Sequence, residues 1–438
     1  MTAEKSTPDK KIWNLGQDWA SVVIGFALIL FVIIYGLFVE KSVGHSITAP
    51  SFGGKTGWND FTGILAIFNY KMGLTLISTF LIFGIFSALG VILSGDKLKN
   101  FATGFLAVCV LAFLALFVSS YTHFKNAGLE TVLFSLLIGL LIGNLVRIPD
   151  WLRAGVLTEL YVKIGLVLLG ATILFKDILS AGAFGIIQAV IVVFGVWYFA
   201  FWVAKKMKVD DEFSTMLASA VSICGVSAAI ATAGAINGDK KKLSFIISLV
   251  LIVAIPMMLL MPILAKWIGL SEAVTGAWLG GTIDTTGAVV AAGTIAGETG
   301  LKYATIVKFS QNVLLGVAAF IISIFWAYRN RGEGKRERVP MRVIWDRFPK
   351  FVLGFILASL VFSFFLSPET ATGTGKVIKS FSSFWFNLAF ISIGLETRFA
   401  DLKAMESKRP LYAFLTAQGF NIIFTLIVSY LLFQVLSA

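Results

Sequence analysis

The chain has 438 residues, of which 58% are hydrophobic and 14% carry a charge, and this balance excludes an ordinary soluble globular protein. The formal net charge of +12 reflects basic cytoplasmic loops in a membrane protein, so no nucleic-acid partner is expected. Cys109, Cys224, His45 and His123 have no metal-ligand spacing, which argues against a metal site, a cofactor or a disulfide framework.

Apolar runs that are long enough to cross a hydrocarbon layer of about 30 Å recur along the chain, and such runs must be helices. They predict an all-α polytopic membrane protein with eleven spanning helices. The predicted spans are 18–39, 72–94, 100–119, 126–147, 159–176, 180–204, 244–268, 303–328, 344–366, 380–398 and 410–436. Two further stretches, 211–238 and 271–299, are too rich in glycine and hydroxyl side chains to be simple spans.

The basic residues of the loops predict the orientation. The loop from Arg329 to Lys350 holds eight Lys and Arg residues, which places it in the cytoplasm by the positive-inside rule. Counting spans from that loop predicts a cytoplasmic N-terminus and a C-terminus outside. The polar N-terminus leads into the first apolar run without a small-residue cleavage site, so a retained helix is expected rather than a signal peptide.

Two pairs of matched segments indicate an internal repeat. Gly170–Asp177 matches Gly394–Asp401, and the segment from Ala228 resembles the segment from Ala288. If 211–238 and 271–299 are re-entrant hairpins that open to opposite faces, every matched pair is antiparallel, as an inverted repeat requires. Broken spanning helices are the alternative. The predicted organisation is a scaffold or dimerisation region (1–125), a first transporter repeat (126–270) and a second repeat (271–438).

The two unusual stretches supply the candidate substrate site. Exposed N–H groups at helix starts near a bend bind anions, and Gly225 is the expected bend of the first stretch. Close helix packing is the alternative explanation of the glycines and serines. The predicted substrate-binding residues are Ser222, Cys224, Gly225, Ser227, Gly281, Thr282, Thr285 and Thr286.

Asp284 is the predicted ion-coupling residue, because no other ionisable residue lies between Glu272 and Glu298. A charge at membrane depth costs roughly 2.5–3.5 kcal/mol, which indicates a functional reason for keeping it. A helix-capping aspartate after a glycine turn is the alternative. Lys308, Gln311 and Asn312 share one face of the next helix and complete the ion-coupling set, although snorkelling explains Lys308 equally well.

At these residues the chain resembles the sulfate exporter family, also called YeiH-like, of bacterial inner-membrane proteins. The resemblance covers residues 126–436 and rests on SICGVSAAIA at 222–231, WLGGTIDTTGAVVAAG at 278–293 and the run from Gly394 to Asp401. It implies a core domain that moves against a scaffold and transports a small anion. Where the family pattern has His-Asp and then Gln, this chain has Asp284-Thr285 and then Ala288, so coupling ion and substrate could differ.

The sequence therefore predicts a secondary active exporter of a small inorganic or organic anion, of the sulfate, sulfite or sulfonate type, coupled through Asp284. A cation/proton antiporter centred on Asp284 and an anion channel are the alternatives. An enzyme is not expected, because no paired acids and no Ser-His or Cys-His pair lie at membrane depth. The expected partners are the anion, a coupling proton or sodium ion, the lipid bilayer and a second copy in a homodimer.

Overall fold

The computed structural model describes residues 15–39, 47–52, 57–126, 129–329, 341–398 and 408–436. The regular elements in these ranges are helices, which confirms the predicted all-α class. The α-helices are α1 (Gly16–Ile34), α2 (Phe61–Ile67), α3 (Tyr70–Leu93), α4 (Phe101–Ser119), α5 (Thr122–Asn126), α6 (Thr131–Leu145), α7 (Asp150–Arg153), α8 (Thr158–Gly170), α9 (Phe175–Lys206), α10 (Asp211–Ser222), α11 (Val226–Ile236), α12 (Lys240–Trp267), α13 (Glu272–Thr282), α14 (Thr286–Ala296), α15 (Glu298–Arg329), α16 (Arg342–Arg347), α17 (Lys350–Leu360), α18 (Pro368–Glu396) and α19 (Lys408–Tyr430). Short π-helical segments extend α1, α17 and α19 to Val39, Phe365 and Val435.

Eight helices of the described chain are long and apolar enough to cross a membrane, so the protein is a polytopic membrane protein, as predicted. The other three predicted spans correspond to the shorter helices α6, α8 and α17.

Two predicted span boundaries were wrong for local reasons. The span at 344–366 is divided, because the chain is extended at Phe348 and Pro349 before α17 begins at Lys350. The span at 159–176 ends at Gly170, after which the Thr172 and Ser359 hydroxyls donate to the carbonyls of Leu169 (2.8 Å) and Ile173 (2.5 Å).

The helices form two packed groups. The scaffold group consists of α1, α3, α4, α6, α8, α17 and α18, which share one buried apolar cluster. The hairpin group consists of α9 to α15 and α19, with a second cluster at its centre. The arm α14 contacts both groups, so residues 286–296 lie at the boundary between them.

The two ends of the helix bundle differ in their loops. The basic end holds the start of α1, the end of α9, the start of α12 and the α16 segment, while the opposite end holds the starts of α9 and α15. Residues 1–14, residues 330–340 of the basic loop and Phe399–Asp401 of the repeat match lie outside the described residues.

Candidate functional site

The stretch 211–238 folds into a hairpin, called hairpin 1, whose arms are α10 and α11. Lys242 Nζ lies 2.8 Å from Asp210 Oδ1 and 2.8 Å from Glu212 Oε2, and the backbone N–H of Asp239 also donates to Glu212. The residues that begin α10 therefore meet the residues that follow α11. Hairpin 1 enters and leaves at the basic end.

The stretch 271–299 folds into a second hairpin, called hairpin 2, with arms α13 and α14. Gly297 follows α14 with a φ of +110°, and a Cβ there would lie 3.0 Å from the Glu272 carboxylate at the start of α13. The 28-residue helix α12, about 42 Å long at 1.5 Å per residue, leads from the base of hairpin 1 to that of hairpin 2. The hairpins thus open at opposite ends, and neither stretch is a single broken span.

The tips of the two hairpins touch inside the hairpin group. Gly225 has φ +61° and ψ −109°, and a Cβ there would lie 3.0 Å from Asp284 Cβ and 2.6 Å from Val250 Cγ1. Only glycine adopts this backbone without strain and leaves room for Asp284. The predicted bend at Gly225 is therefore the point where hairpin 1 meets hairpin 2.

Lys308 of α15 bridges the two hairpin tips. Its Nζ donates to the carbonyls of Ile223 (2.7 Å) and Ile283 (2.8 Å) and to Gln311 Oε1 (3.1 Å), so its three N–H groups are used. The two carbonyls follow the last residues of α10 and α13, where helix dipoles place partial negative charge. Lys308 is 1% exposed, so it does not snorkel to an interface.

Amide side chains from α15 and α19 satisfy the neighbouring carbonyls. Gln311 donates to Gly281 O (2.8 Å), Gln418 to Thr282 O (3.0 Å), and Asn421 to both Val221 O and Thr282 O (3.1 Å each). Asn421 was not predicted from the sequence, although its spacing of three from Gln418 in an apolar helix is a signal for a shared polar face.

Asp284 is 1% exposed, and neither of its carboxylate oxygens has a hydrogen-bond partner among the described residues. The helix-cap alternative is wrong, because Thr285 is the N-cap of α14 and its Oγ1 accepts from the N–H of Ala288 (3.3 Å). Lys308 is also not an ion-pair partner, since its ammonium donates to other oxygens. The carboxylate is therefore available for a proton or a cation.

A cavity of about 280 Å³, here called the tip cavity, reaches the hairpin tips from the basic end. The second arms of the two hairpins, α11 and α14, both begin at the wall of this cavity. Its lining includes the tip residues Cys224, Val226, Ser227, Thr285 and Thr286, together with Asn312 of α15. Asn312 Nδ2 donates to Thr286 Oγ1 (3.2 Å), while its own Oδ1 is buried without a partner in the described chain.

The outer wall of the tip cavity is acidic. Asp18, Glu159 and Asp346 line it together with Lys163, whose Nζ pairs with Asp18 Oδ1 (3.0 Å) and Glu159 Oε2 (3.2 Å). A neighbouring side cavity of about 270 Å³ shares Glu159, Val226 and Thr285 with it and is also lined by Glu396. Glu396 Oε2 accepts from Thr158 Oγ1 (2.8 Å).

A third cavity of about 870 Å³, here called the far cavity, lies at the opposite end between the two helix groups. Its wall includes Thr294 of α14, Lys302 of α15 and Asn387 of α18. It does not share a lining residue with the tip cavity or the side cavity.

The structure divides the predicted site residues into two sets. Cys224, Ser227, Thr285, Thr286 and Asn312 line the tip cavity. The rest are buried behind it, namely Ser222, Gly225, Gly281, Thr282, Asp284, Lys308 and Gln311. Gly281 is a packing position, because a Cβ there would lie 2.3 Å from Gln188 Nε2.

Comparison with known proteins places the chain in a family. The family described as Conserved hypothetical protein 698 matches residues 103–413. A UPF0324 membrane protein of Rhodopirellula baltica is 40% identical over 372 residues, covering 83% of this chain and 68% of that protein.

Two other UPF0324 membrane proteins are similar at lower identity. One from Nitratidesulfovibrio vulgaris is 38% identical over 381 residues, covering 84% of this chain and 65% of that protein. One from Nitrosomonas europaea is 27% identical over 390 residues, covering 78% and 80%. The chain thus spans about two thirds of the length of the first two relatives. No solved structure matches it.

These matches are consistent with the resemblance to the YeiH-like family. The chain belongs to the Conserved hypothetical protein 698 family, together with the UPF0324 membrane proteins.

Proposed function

We propose that the protein is a secondary active transporter of a small oxyanion, coupled to a cation or proton through Asp284. The observation that carries this proposal is the start of two helices, α11 and α14, at one small cavity. Helix N-termini present free N–H groups and partial positive charge, and in transporters with discontinuous helices they face anionic substrate groups. Ser227, Thr286 and Asn312 add side-chain donors at the same wall.

The cavities at both ends support alternating access. The tip cavity and the side cavity reach the hairpin tips from the basic end, while the far cavity enters between the two groups from the opposite end. Movement of the hairpin group along the scaffold group would close one route and open the other. The positive-inside rule assigns the basic end to the cytoplasm, so this conformation faces inward in the bacterial inner membrane.

Flux measurements in proteoliposomes test the proposal. Saturable movement of radiolabelled sulfate or sulfite is expected. Thr286→Val and Ser227→Ala each remove a donor from the tip cavity, so each is expected to raise KM about tenfold. Ser323→Ala is the matched control, because Ser323 is a buried hydroxyl further along α15 that donates within its own helix. An unsaturable conductance, or no anion movement at all, contradicts the proposal.

A cation/proton antiporter is the second candidate, and the wall charges favour it. Asp18, Glu159, Asp346 and Glu396 line the two cavities that reach the tips, against one lysine, Lys163, in the described part of that wall. This acidic wall attracts cations. Sodium or proton exchange that proceeds without any added oxyanion and is abolished by Asp284→Asn would favour this candidate over the first.

A further inference from the structure

Five buried oxygens without donors belong to residues at the two hairpin tips and on α19. They are Asp284 Oδ1 and Oδ2, Ser222 Oγ, Thr282 Oγ1 and Gln418 Oε1, none of which has a hydrogen-bond partner within the described ranges. Each of the four residues is at most 2% exposed. Unpartnered polar atoms at this depth are costly, so a cluster of five requires an explanation.

Hydrogen bonds to neighbouring carbonyls bring these residues together. Gln418 Nε2 donates to Thr282 O at 3.0 Å, two residues before Asp284 in the chain. Asn421 Nδ2 donates to Thr282 O and to Val221 O, the residue before Ser222, at 3.1 Å each. The oxygens therefore come from both hairpin tips and from α19.

The position of the cluster suits a cation. Ser222 and Thr282 are the last residues of α10 and α13, where the helix dipoles are negative. The C-terminal ends of half-helices coordinate the coupling cations of other transporters. Lys308 does not fill this place, because its three donors are taken by Ile223, Ile283 and Gln311.

A proton on Asp284 would not satisfy the cluster. It would serve one carboxylate oxygen and at most one neighbouring acceptor, and the remaining oxygens would stay without donors. One cation that contacts all five oxygens would satisfy them, since hard cations prefer carboxylate, amide and hydroxyl oxygens. Beside the Lys308 ammonium, the single Asp284 carboxylate leaves an excess of one positive charge with a monovalent ion and of two with a divalent ion, so a monovalent ion is favoured.

We propose that Asp284, Ser222, Thr282 and Gln418 bind a dehydrated monovalent alkali cation, sodium or potassium, which is the coupling ion. This inference rests on the proposed transport function. It assigns Lys308 and Gln311 to the support of the hairpin tips rather than to the ion.

Thermal unfolding of the purified full chain in detergent tests the site, with sodium, potassium and choline chloride as probes. A ligand that binds only the folded state raises the melting temperature with its concentration. Sodium or potassium is expected to raise the melting temperature by several degrees in a saturable way, and choline is not. The alkali ion with the lower midpoint identifies the ligand.

Variants separate the site from general stability. Asp284→Asn is expected to abolish the cation-dependent shift, and Ser222→Ala and Thr282→Val to raise its midpoint about tenfold each. Ser429→Ala is the matched control and is expected to keep the midpoint, because the Ser429 hydroxyl of α19 lies outside the cluster, is buried and has no hydrogen-bond partner among the described residues. If all these variants keep the midpoint of the parent protein, the assignment of ligands is wrong.

The outcomes also distinguish this inference from the proposed function. If neither alkali ion shifts the melting temperature while sulfate or sulfite flux persists and depends on a pH gradient, the cation site is refuted and the anion transporter stands. If the cation shift is present and depends on Asp284 but no oxyanion moves, the site is supported and the anion proposal fails.

Discussion

At the residue scale, Gly225 has little freedom to change. Any side chain there adopts a strained positive φ and meets Val250 Cγ1 at 2.6 Å and Asp284 Cβ at 3.0 Å. Gly225→Ala is therefore expected to lower the free energy of unfolding by about 1–3 kcal/mol. It is also expected to abolish flux, because the added methyl group pushes the two hairpin tips apart. Thermal unfolding and proteoliposome flux measure the two effects.

Gly419→Ala is the control for that substitution. Gly419 lies in α19 beside Gln418, and a Cβ there meets no atom within 4 Å. Stability and flux are expected to be unchanged or slightly improved, since alanine favours a helix by up to about 1 kcal/mol over glycine. Equal behaviour of the two variants would mean that the contact between the tips does not matter for transport.

Lys308 carries a second prediction at this scale. Lys308→Met leaves the Ile223 and Ile283 carbonyls buried without a donor, at a cost of about 1–3 kcal/mol for each. Gln311→Met removes one donor, to Gly281 O, and is expected to cost about half as much. Thermal unfolding of both variants checks this order. A reversed order would show that Lys308 does not hold the tips together.

At the element scale, the hairpins were predictable, whereas some of the side chains that support them were not. Glycines at 225 and 280–281, together with basic residues at 240–242, favoured two hairpins of opposite direction, because parity and the positive-inside rule fix which face each stretch enters. Gln188 carries no comparable local signal, and the spacing of Asn421 from Gln418 indicates a shared polar face but not the carbonyls that it meets. They act through contacts between helices that are distant in sequence, such as Gln188 Nε2 to Ala277 O at 2.8 Å.

The base of hairpin 1 gives a pH-dependent prediction. Burial raises the pKa of Asp210, but the hydrogen bonds from Lys242 and the Phe213 N–H outweigh it and hold the pKa below its ordinary value. A lowered native pKa adds stability above the unfolded pKa of about 4, and that stability is lost as the pH falls. Asp210 is also the N-cap of α10, so Asp210→Ala is expected to cost about 1 kcal/mol at neutral pH.

The measurement is the melting-temperature difference between parent and Asp210→Ala across pH. The difference is expected to narrow as the pH falls below about 4, because the parent then loses its charged partner for Lys242. Asp96→Ala, at an exposed loop position, is the control and is expected to show only a small difference. A gap that widens in acid would contradict the assigned role of the Asp210 charge.

At the scale of the whole molecule, an ion pair joins the two helix groups. Lys379 Nζ of α18 lies 2.6 Å from Glu298 Oε2 at the start of α15, beside the far cavity. This pair joins the scaffold group to the hairpin group. A second pair at the same end, Lys302 with Asp177 at 2.7 Å, lies within the hairpin group. Movement of one group against the other would separate Lys379 from Glu298 and leave the Lys302–Asp177 pair intact.

Cross-linking at these two pairs tests whether the two helix groups move against each other during transport. With cysteines at 379 and 298, a short thiol-reactive cross-linker is expected to stop flux in proteoliposomes while leaving the cation-dependent melting shift in place, because only the sliding of one group past the other is blocked. Cysteines at 302 and 177 are the matched control, and their cross-link is expected to leave flux unchanged. The native Cys109 and Cys224 are buried, and the parent protein treated with the same reagent accounts for them. Full flux through the protein linked at 379 and 298 would mean that the two groups stay fixed during transport, and the hairpin tips alone would then have to open and close the pathway.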